Sequence, residues 1–368
     1  MKRKIITVIG TRPEGIKMAP IIAKLRDHPE FTHLLISTGQ HSEMLEQVLN
    51  IFQLQPDYKL QVMSKKQSIS LLTSKIIRKL FNIFNQEQPA LVLVHGDTTT
   101  TFSAAYAAFL AQIPVAHIEA GLRSYNKYAP FPEELNRQLV THLATYHFAP
   151  TQENQNNLLR ENIPPTQIFK VGNTVIDALN QTLQLSCPFP PYLAKLLTAP
   201  YQTMLVTTHR RENAQFLAHI YQALNFALNT FPKLQIIFPV HKNPVVKESL
   251  KYLNPSPRLH LIEPLDYLLF CHLFKQAHLI LTDSGGIQEE ACALGIPLLL
   301  AREETERPEG IQHGNVLLVG HRTAKIQTAL QNVLTNSKVY NQMARPSKVY
   351  GDGQSSNRIL RIIKKILL

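Results

Sequence analysis

The stretch Ala90–Gly121, ALVLVHGDTTTTFSAAYAAFLAQIPVAHIEAG, decides the fold class. Its two apolar runs, ALVLVHGD and VAHIEAG, are short and bounded, as buried strands are. Between them the chain opens on Thr98–Thr101, four threonines that suit a helix start better than a helix interior. Strand, helix, strand in that order is a βαβ unit, which requires parallel pairing through a crossover. The same alternation extends outward, with IITVIG and HLLISTG upstream, and YHFAP and IFKVG downstream. A second series follows: TMLVTTHR, LQIIFPVH, HLILTDSGG, PLLLARE and NVLLVG. The expected fold is α/β, with two Rossmann-like, doubly wound domains facing a cleft. Between the series lies SCPFPPYLAKLLTAP, rich in proline and without strand periodicity. The domain boundary is therefore expected near Gly172–Asn173, with a helix from Thr174 leading onward.

A length of 368 residues allows two domains of ordinary size, and 44% hydrophobic with 17% charged residues describes a globular chain. Cys187, Cys271 and Cys292 form no CxxC pair and no disulfide framework, which fits a reducing cytoplasm. The opening MKRKIITVIG has an apolar run too short for a secretory signal and reads as a first strand. No apolar stretch approaches the ~20 residues of a membrane span. The closing ILRIIKKILL reads as an amphipathic helix docked on the core, so stable membrane insertion is not expected. The net charge of +12 is dispersed and accompanies no nucleic-acid motif, so an anionic small substrate is a better expectation than nucleic acid, and a generally basic surface without functional meaning better still.

Ligands of doubly wound sheets bind outside the carboxyl ends of the strands. Asp97 and Glu119 both close strands there, and Glu133 follows Pro132 in the first turn of a helix. Each has a bland reading: Asp97 can cap a helix, and Glu133 can complement a helix dipole. Together they form a set of acids able to divide acid from base work. Ala120-Gly121 should leave the Glu119 carboxylate with little steric cover. In GTRPEGIK, Ile16 separates Gly15 from Lys17, so the phosphate-loop pattern fails. What remains is a turn where Arg12 and Lys17 suit an anion near a helix start. His209-Arg210-Arg211-Glu212 ends the first strand of the second half and suits a diphosphate, with His209 able to donate a proton to a leaving oxygen; a surface ion-pair set is the alternative. Asp283-Ser284-Gly285-Gly286 ends a strand and starts a helix whose N–H groups attract phosphate, while Glu290 on that helix can accept ribose hydroxyls. No GxGxxG follows a strand and no HExxH occurs, so neither a dinucleotide cofactor nor a metal is expected.

At these residues the chain resembles the non-hydrolysing UDP-N-acetylglucosamine 2-epimerases. The matches are GTRPEGIKMAP, HGDTTTT, HIEAGLRS, PEELNR, GNTVIDAL, HRRE, LTDSGGIQEE, TERPE and YGDG, spread over nearly the full length. The resemblance implies the glycosyltransferase-B architecture, whose final helix crosses back to the first domain. It thus implies a first domain of 1–172 with 352–368 and a UDP-binding domain of 173–351. By the same resemblance, Arg12, Lys17, Asp97, Glu119, Glu133 and His209 line the sugar and diphosphate. Ser284, Gly285, Gly286 and Glu290 hold diphosphate and ribose, Phe270 flanks uracil, and Arg307 faces the ligand. The chain departs from the family after HRRE, where Asn213-Ala-Gln-Phe216 is short and has no glycine.

The activity implied is reversible interconversion of UDP-GlcNAc and UDP-ManNAc. UDP leaves C1 as the C2 proton is removed, giving 2-acetamidoglucal, and then adds back. Such an enzyme would supply ManNAc-type sugars for bacterial surface polysaccharide, without cofactor, and a homodimer is expected. Alternatives are a hydrolysing epimerase, an epimerase of a modified UDP-N-acetyl sugar, and a glycosyltransferase of the same fold. Which carboxylate is base and which is acid stays open.

Overall fold

The computed structural model describes residues 2–40, 42–64, 67–208 and 211–368, with backbone alone at 42, 211, 212 and 214. The chain divides into two compact units, Met1–Asn180 with Gly351–Leu368, and Gln181–Tyr350; the division falls inside the helix Thr174–Gln184.

The first unit holds a seven-stranded parallel sheet of β1 (Arg3–Ile9), β2 (Phe31–Ser37), β3 (Tyr58–Lys59), β4 (Leu91–His95), β5 (Val115–Ile118), β6 (Tyr146–Ala149) and β7 (Ile168–Lys170). Their order is β3-β2-β1-β4-β5-β6-β7. Successive side chains of a strand point to opposite faces, so a strand covered on both sides must be apolar throughout. In β1, Ile5 and Ile9 enter one core with the helices Arg12–Arg26 and Ser355–Leu367, whereas Ile6 and Val8 enter a second with Ile69–Glu87 and Thr99–Leu110. Leu91 and Leu93 of β4 alternate with Val92 and Val94 in the same way.

The second unit repeats the plan with six parallel strands: β8 (Gln202–Thr207), β9 (Leu234–Pro239), β10 (Leu259–Ile262), β11 (Leu279–Thr282), β12 (Leu298–Leu300) and β13 (Val316–Leu318). Their order, β10-β9-β8-β11-β12-β13, reverses between β8 and β11 as the first sheet does between β1 and β4. Those reversals are the switch points where doubly wound sheets open a crevice.

The final helix belongs to the first unit. Its Ile359 and Ile363 are fully buried against β1 and the helix Arg12–Arg26, each contributing about 1.5–3 kcal/mol. Asp177 caps its start: Oδ1 accepts from the Ser356 amide (2.8 Å) and hydroxyl (2.6 Å), and Oδ2 from the Ser355 amide (3.1 Å). One carboxylate thus satisfies two of the helix's orphan N–H groups. Among the described residues, no helix is long and apolar enough to cross a membrane.

Candidate functional site

The carboxyl ends of β1, β4 and β5 present three turns at the first switch point. Glu14 joins two of them. Its Oε2 accepts the Gly10 and Thr11 amides (2.8 and 2.7 Å), and its Oε1 accepts the hydroxyls of Thr98 and Thr101 (2.6 and 2.9 Å). Gly10 is required where the turns approach, because a Cβ there would lie 2.1 Å from Thr100 Oγ1 and 2.4 Å from Thr38 Oγ1. Glu14→Ala would orphan two buried amides, each costing about 1–3 kcal/mol. We expect the variant to lose at least about 3 kcal/mol in urea unfolding; a loss under about 1 kcal/mol would show that the clasp is redundant.

Glu119 follows β5 with φ +65°, a left-handed backbone that favours glycine and costs a residue of its size about 1–3 kcal/mol. That conformation turns its side chain back over the strand ends. Lys17 Nζ donates to both carboxylate oxygens (2.6 and 2.8 Å), and Asn173 Nδ2 donates to Oε1 (3.1 Å). His95 Nε2 lies 2.9 Å from Oε2, at ion-pair distance but off the line of a hydrogen bond. The steric openness expected from Ala120-Gly121 does not hold: Glu119 is 7% exposed, because Lys17, His95 and Asn173 cover it. Lys17 is accordingly paired to Glu119 and buried with it.

Asp97 is held from the other side. Arg137 reaches its Oδ2 with both Nε and Nη2 (2.8 Å each), and Asn136 Nδ2 donates to its carbonyl (2.9 Å). Arg137 Nη1 also donates to Glu134 (2.9 Å), whose carboxylate accepts the Ser124 and Tyr125 amides (2.9 and 3.0 Å). The helix Glu133–Leu143 therefore turns Glu134, Asn136 and Arg137 into the fold, and leaves Glu133 half-buried at its first position. Gly96 links the two acids: it precedes Asp97, and a Cβ on it would stand 3.7 Å from Glu119 Oε2. The structure thus places Asp97 and Glu119 on neighbouring strand ends, with Asp97 tied to the Glu133 helix through Asn136 and Arg137. Sequence reasoning passed over Glu14, His95, Glu134, Asn136, Arg137 and Asn173; most of these meet partners distant in the chain, whereas Glu134 is held by Arg137 and by the Ser124 and Tyr125 amides nearby.

In the second unit, β11 ends at Thr282, the buried Asp283 follows it, and the helix Ile287–Leu294 begins after Gly286. A Cβ on Gly286 would meet nothing within 4 Å, so the turn offers open room beside the helix N-terminus. Ser284 and Gly285 lie in the same turn, with the Ser284 amide on Thr282 Oγ1 (2.9 Å). Glu290, one helical turn further, accepts from Tyr267 Oη (3.1 Å). Phe270 is half-buried, with its ring 5.8 Å from that of Phe274. Arg307, expected to face a ligand, is 6% exposed, and its guanidinium donates to Glu289 (Nε, 2.6 Å) and Glu306.

His209 and Arg210 lie outside the described residues, as do the side chains of Arg211 and Glu212. The glycine-free segment after them forms a 3₁₀ turn, Arg211–Phe216. Asn213 ties it down through Asp283 Oδ2 (3.3 Å), the Ala301 carbonyl (3.1 Å) and His321 (2.9 Å). The Phe216 ring stacks on His321 at 4.3 Å and 4°. This short segment is thus anchored by an aromatic contact.

A family model described as UDP-N-acetylglucosamine 2-epimerase matches residues 23–364. The chain belongs to that family. It is 45% identical to the UDP-N-acetylglucosamine 2-epimerase of Bacillus subtilis over 98% of this chain and 94% of the relative. The enzyme of the same name from Salmonella typhimurium is 48% identical, with 98% of each chain covered. The crystal structure of the Neisseria meningitidis UDP-GlcNAc 2-epimerase bound to UDP-GlcNAc superposes with a TM-score of 0.93 at 43% identity, covering 98% of this chain and all of that one. In this member of the family, the acids of the first sheet and the glycine turn of the second occupy the strand ends at both switch points.

Proposed function

We propose that this chain is a non-hydrolysing UDP-GlcNAc 2-epimerase that interconverts UDP-GlcNAc and UDP-ManNAc. The observation that carries the reading is Glu119, fixed in a left-handed conformation beside Lys17 and His95 and next to the Arg137-clamped Asp97. The hydrogen on C2 of an N-acetylhexosamine is not adjacent to a carbonyl, so simple deprotonation is very slow. Elimination avoids that carbanion. A carboxylate takes the C2 proton, the C2–H electron pair becomes the C1=C2 bond, and the C1–O pair leaves with UDP. Re-addition forms the C1–O bond again while a proton reaches C2 from the opposite face. Two proton-handling groups are needed, and Asp97, Glu119 and Glu133 supply them in this reading. Cations near the leaving diphosphate stabilise developing charge, a role for Arg12 and, beyond the described residues, His209. The open turn Ser284–Gly286 suits the diphosphate, because helix N-terminal amides bind anions. Arg307 acts by bracing that helix through Glu289, and Phe270 flanks the base. The enzyme works in the cytoplasm, without cofactor, and feeds ManNAc-type sugars to surface polysaccharide.

The test is incubation with UDP-GlcNAc in deuterium oxide, followed by NMR at C2. Expected are deuterium at C2 in both epimers and no net release of UDP. Stoichiometric UDP with free N-acetylmannosamine would place the chain in the hydrolysing branch instead.

The homodimer expectation also finds support. On the helix Thr99–Leu110, the rings of Phe102, Tyr106 and Phe109 stack at 6.1 and 6.4 Å, with Phe109 56% exposed. Leu135 and Leu139 are exposed on the neighbouring helix Glu133–Leu143. Exposed apolar side chains on two packed helices suit a self-complementary contact between two copies. Light scattering should give twice the chain mass, and Phe109→Asp should give the monomer. A monomeric parent protein would rule this interface out.

A further inference from the structure

We propose that Tyr267 is a positioning residue for ribose recognition: its hydroxyl holds the Glu290 carboxylate in the orientation that accepts the hydroxyls of a nucleotide's ribose. The inference rests on the UDP-site reading above and adds a residue and a specificity to it. Glu290 lies four residues after Gly286, on the same side of its helix, and helical side chains lean toward the N-terminus. Its carboxylate therefore sits beside the glycine turn. The terminal torsion of a glutamate is broad and roughly two-fold, so helical packing alone does not fix the carboxylate plane. Tyr267 Oη, at 3.1 Å from Oε1, does fix it.

The donor is itself fixed. Tyr267 is the first residue of the helix Tyr267–Lys275, whose start is capped by Asp266 accepting from the Leu269 amide at 2.8 Å. Tyr267 is 8% exposed, and its hydroxyl also lies within hydrogen-bonding reach of the Cys271 thiol, one turn along the same helix. Burial, and then the charge of Glu290, push the Tyr267 phenol well above its ordinary value. The hydroxyl therefore remains a donor at any working pH and cannot compete as an anion. A carboxylate offers more lone pairs than the one Tyr267 engages, and in this proposal the hydroxyls of a ribose donate to that carboxylate. A purely structural tyrosine would fill the same volume, but it would affect all ligands of the site alike.

Calorimetric titration of the full chain with UDP and with 2′-deoxy-UDP separates these roles. The parent protein is expected to prefer UDP, and Glu290→Gln to lose most of that preference. Tyr267→Phe, which removes one oxygen and keeps the ring, should cut the preference by about tenfold, the equivalent of one charge-assisted hydrogen bond. Its affinity for 2′-deoxy-UDP should stay within about twofold. An unchanged preference in Tyr267→Phe, or equal weakening for both ligands, overturns the proposal and leaves Tyr267 a packing residue. If Tyr267→Phe does not fold, the double variant with Glu290→Gln, which leaves no buried charge unpaired, replaces it. That variant should discriminate no worse than Glu290→Gln alone, and additive losses would overturn the coupling. Failure of the parent protein to bind UDP at all would instead sink the underlying site reading.

Discussion

Asp97→Asn, Glu119→Gln and Glu133→Gln are each expected to lower epimerase turnover by roughly 10²–10⁴-fold, the range for loss of a general acid or base. Their side effects should differ, because their surroundings do. Glu119 is the anion for a buried lysine, and removing one partner of such a pair leaves an uncompensated charge. Glu119→Gln should therefore lose stability as well as activity, whereas Lys17→Met combined with it should recover the melting temperature and not the turnover. Asp97 faces Arg137, which keeps Glu134 as a second partner, so Asp97→Asn should fold almost normally. Glu133 is half-buried at a helix start, and its replacement should affect stability least. The measurement is kcat alongside UDP affinity and urea unfolding for each variant. UDP affinity should change far less than kcat, since the carboxylates handle protons on the sugar. Near-native turnover in any one variant would make that carboxylate a structural element, and near-native turnover in all three would remove acid–base chemistry from this edge.

Much of this arrangement is legible in the sequence, and what is not has a physical cause. The interior strands announce themselves because parallel strands covered on both faces are uniformly apolar. The sequence reading passed over β3 and β10, the outer strands, for the same reason in reverse. β3 is two residues long, and Leu259–Ile262 is only partly buried, so neither forms an uninterrupted apolar run. The placement of Asp97 and Glu119 after neighbouring strand ends was legible because the strands themselves were. Their partners were not. Arg137 meets Asp97 forty positions away, Asn173 meets Glu119 from another turn, and Tyr267 meets Glu290 across two helices. No local periodicity encodes such pairings. Glu134 is the instructive case: it neighbours Glu133 and is chemically identical, yet about 100° of helical rotation takes one into the fold and leaves the other at its rim. The loop after His209 shows the converse. Its lack of glycine was visible in the sequence, but the stacking of Phe216 on His321 that anchors it was not.

The first unit should also lose stability sharply below pH 6.5, through histidines that have no part in the chemistry. His33 on β2, His117 on β5 and His147 on β6 are all buried within the sheet. Burial lowers their pKa to about 3, about 3 and about 4, respectively. The neighbouring charges deepen the effect: Arg26 for His33, and Arg123 for His147, with His117 and His147 directly paired across adjacent strands. His33 Nε2 pairs with Thr7 Oγ1 (2.9 Å) and His117 Nε2 with the Gly96 carbonyl (2.7 Å), so the neutral rings are built into the hydrogen bonding. The sign follows from linkage. Above about pH 6.5 both states carry neutral rings and the full stability is present. As pH falls below that, the unfolded chain binds protons that the folded one refuses, so stability drops until the folded values are reached. At pH 5 each ring costs about 2 kcal/mol, or about 6 kcal/mol for the three. That rivals the whole stability of a domain, about 5–15 kcal/mol. Asp352, held at about 2 by Arg358, releases its stability only at much lower pH and falls outside this window. His260, His278 and His321 are also lowered by burial, but they belong to the second unit. Variants therefore assign the effect. Urea unfolding between pH 7.5 and 5 should show a steep loss in the parent protein. His147→Leu should reduce the loss between pH 7.5 and pH 5 by about 2 kcal/mol, the contribution of one ring. A parent protein equally stable at pH 7 and pH 5, or a slope indifferent to His147→Leu, would mean that these rings are protonated or solvated in the folded state, contrary to their burial.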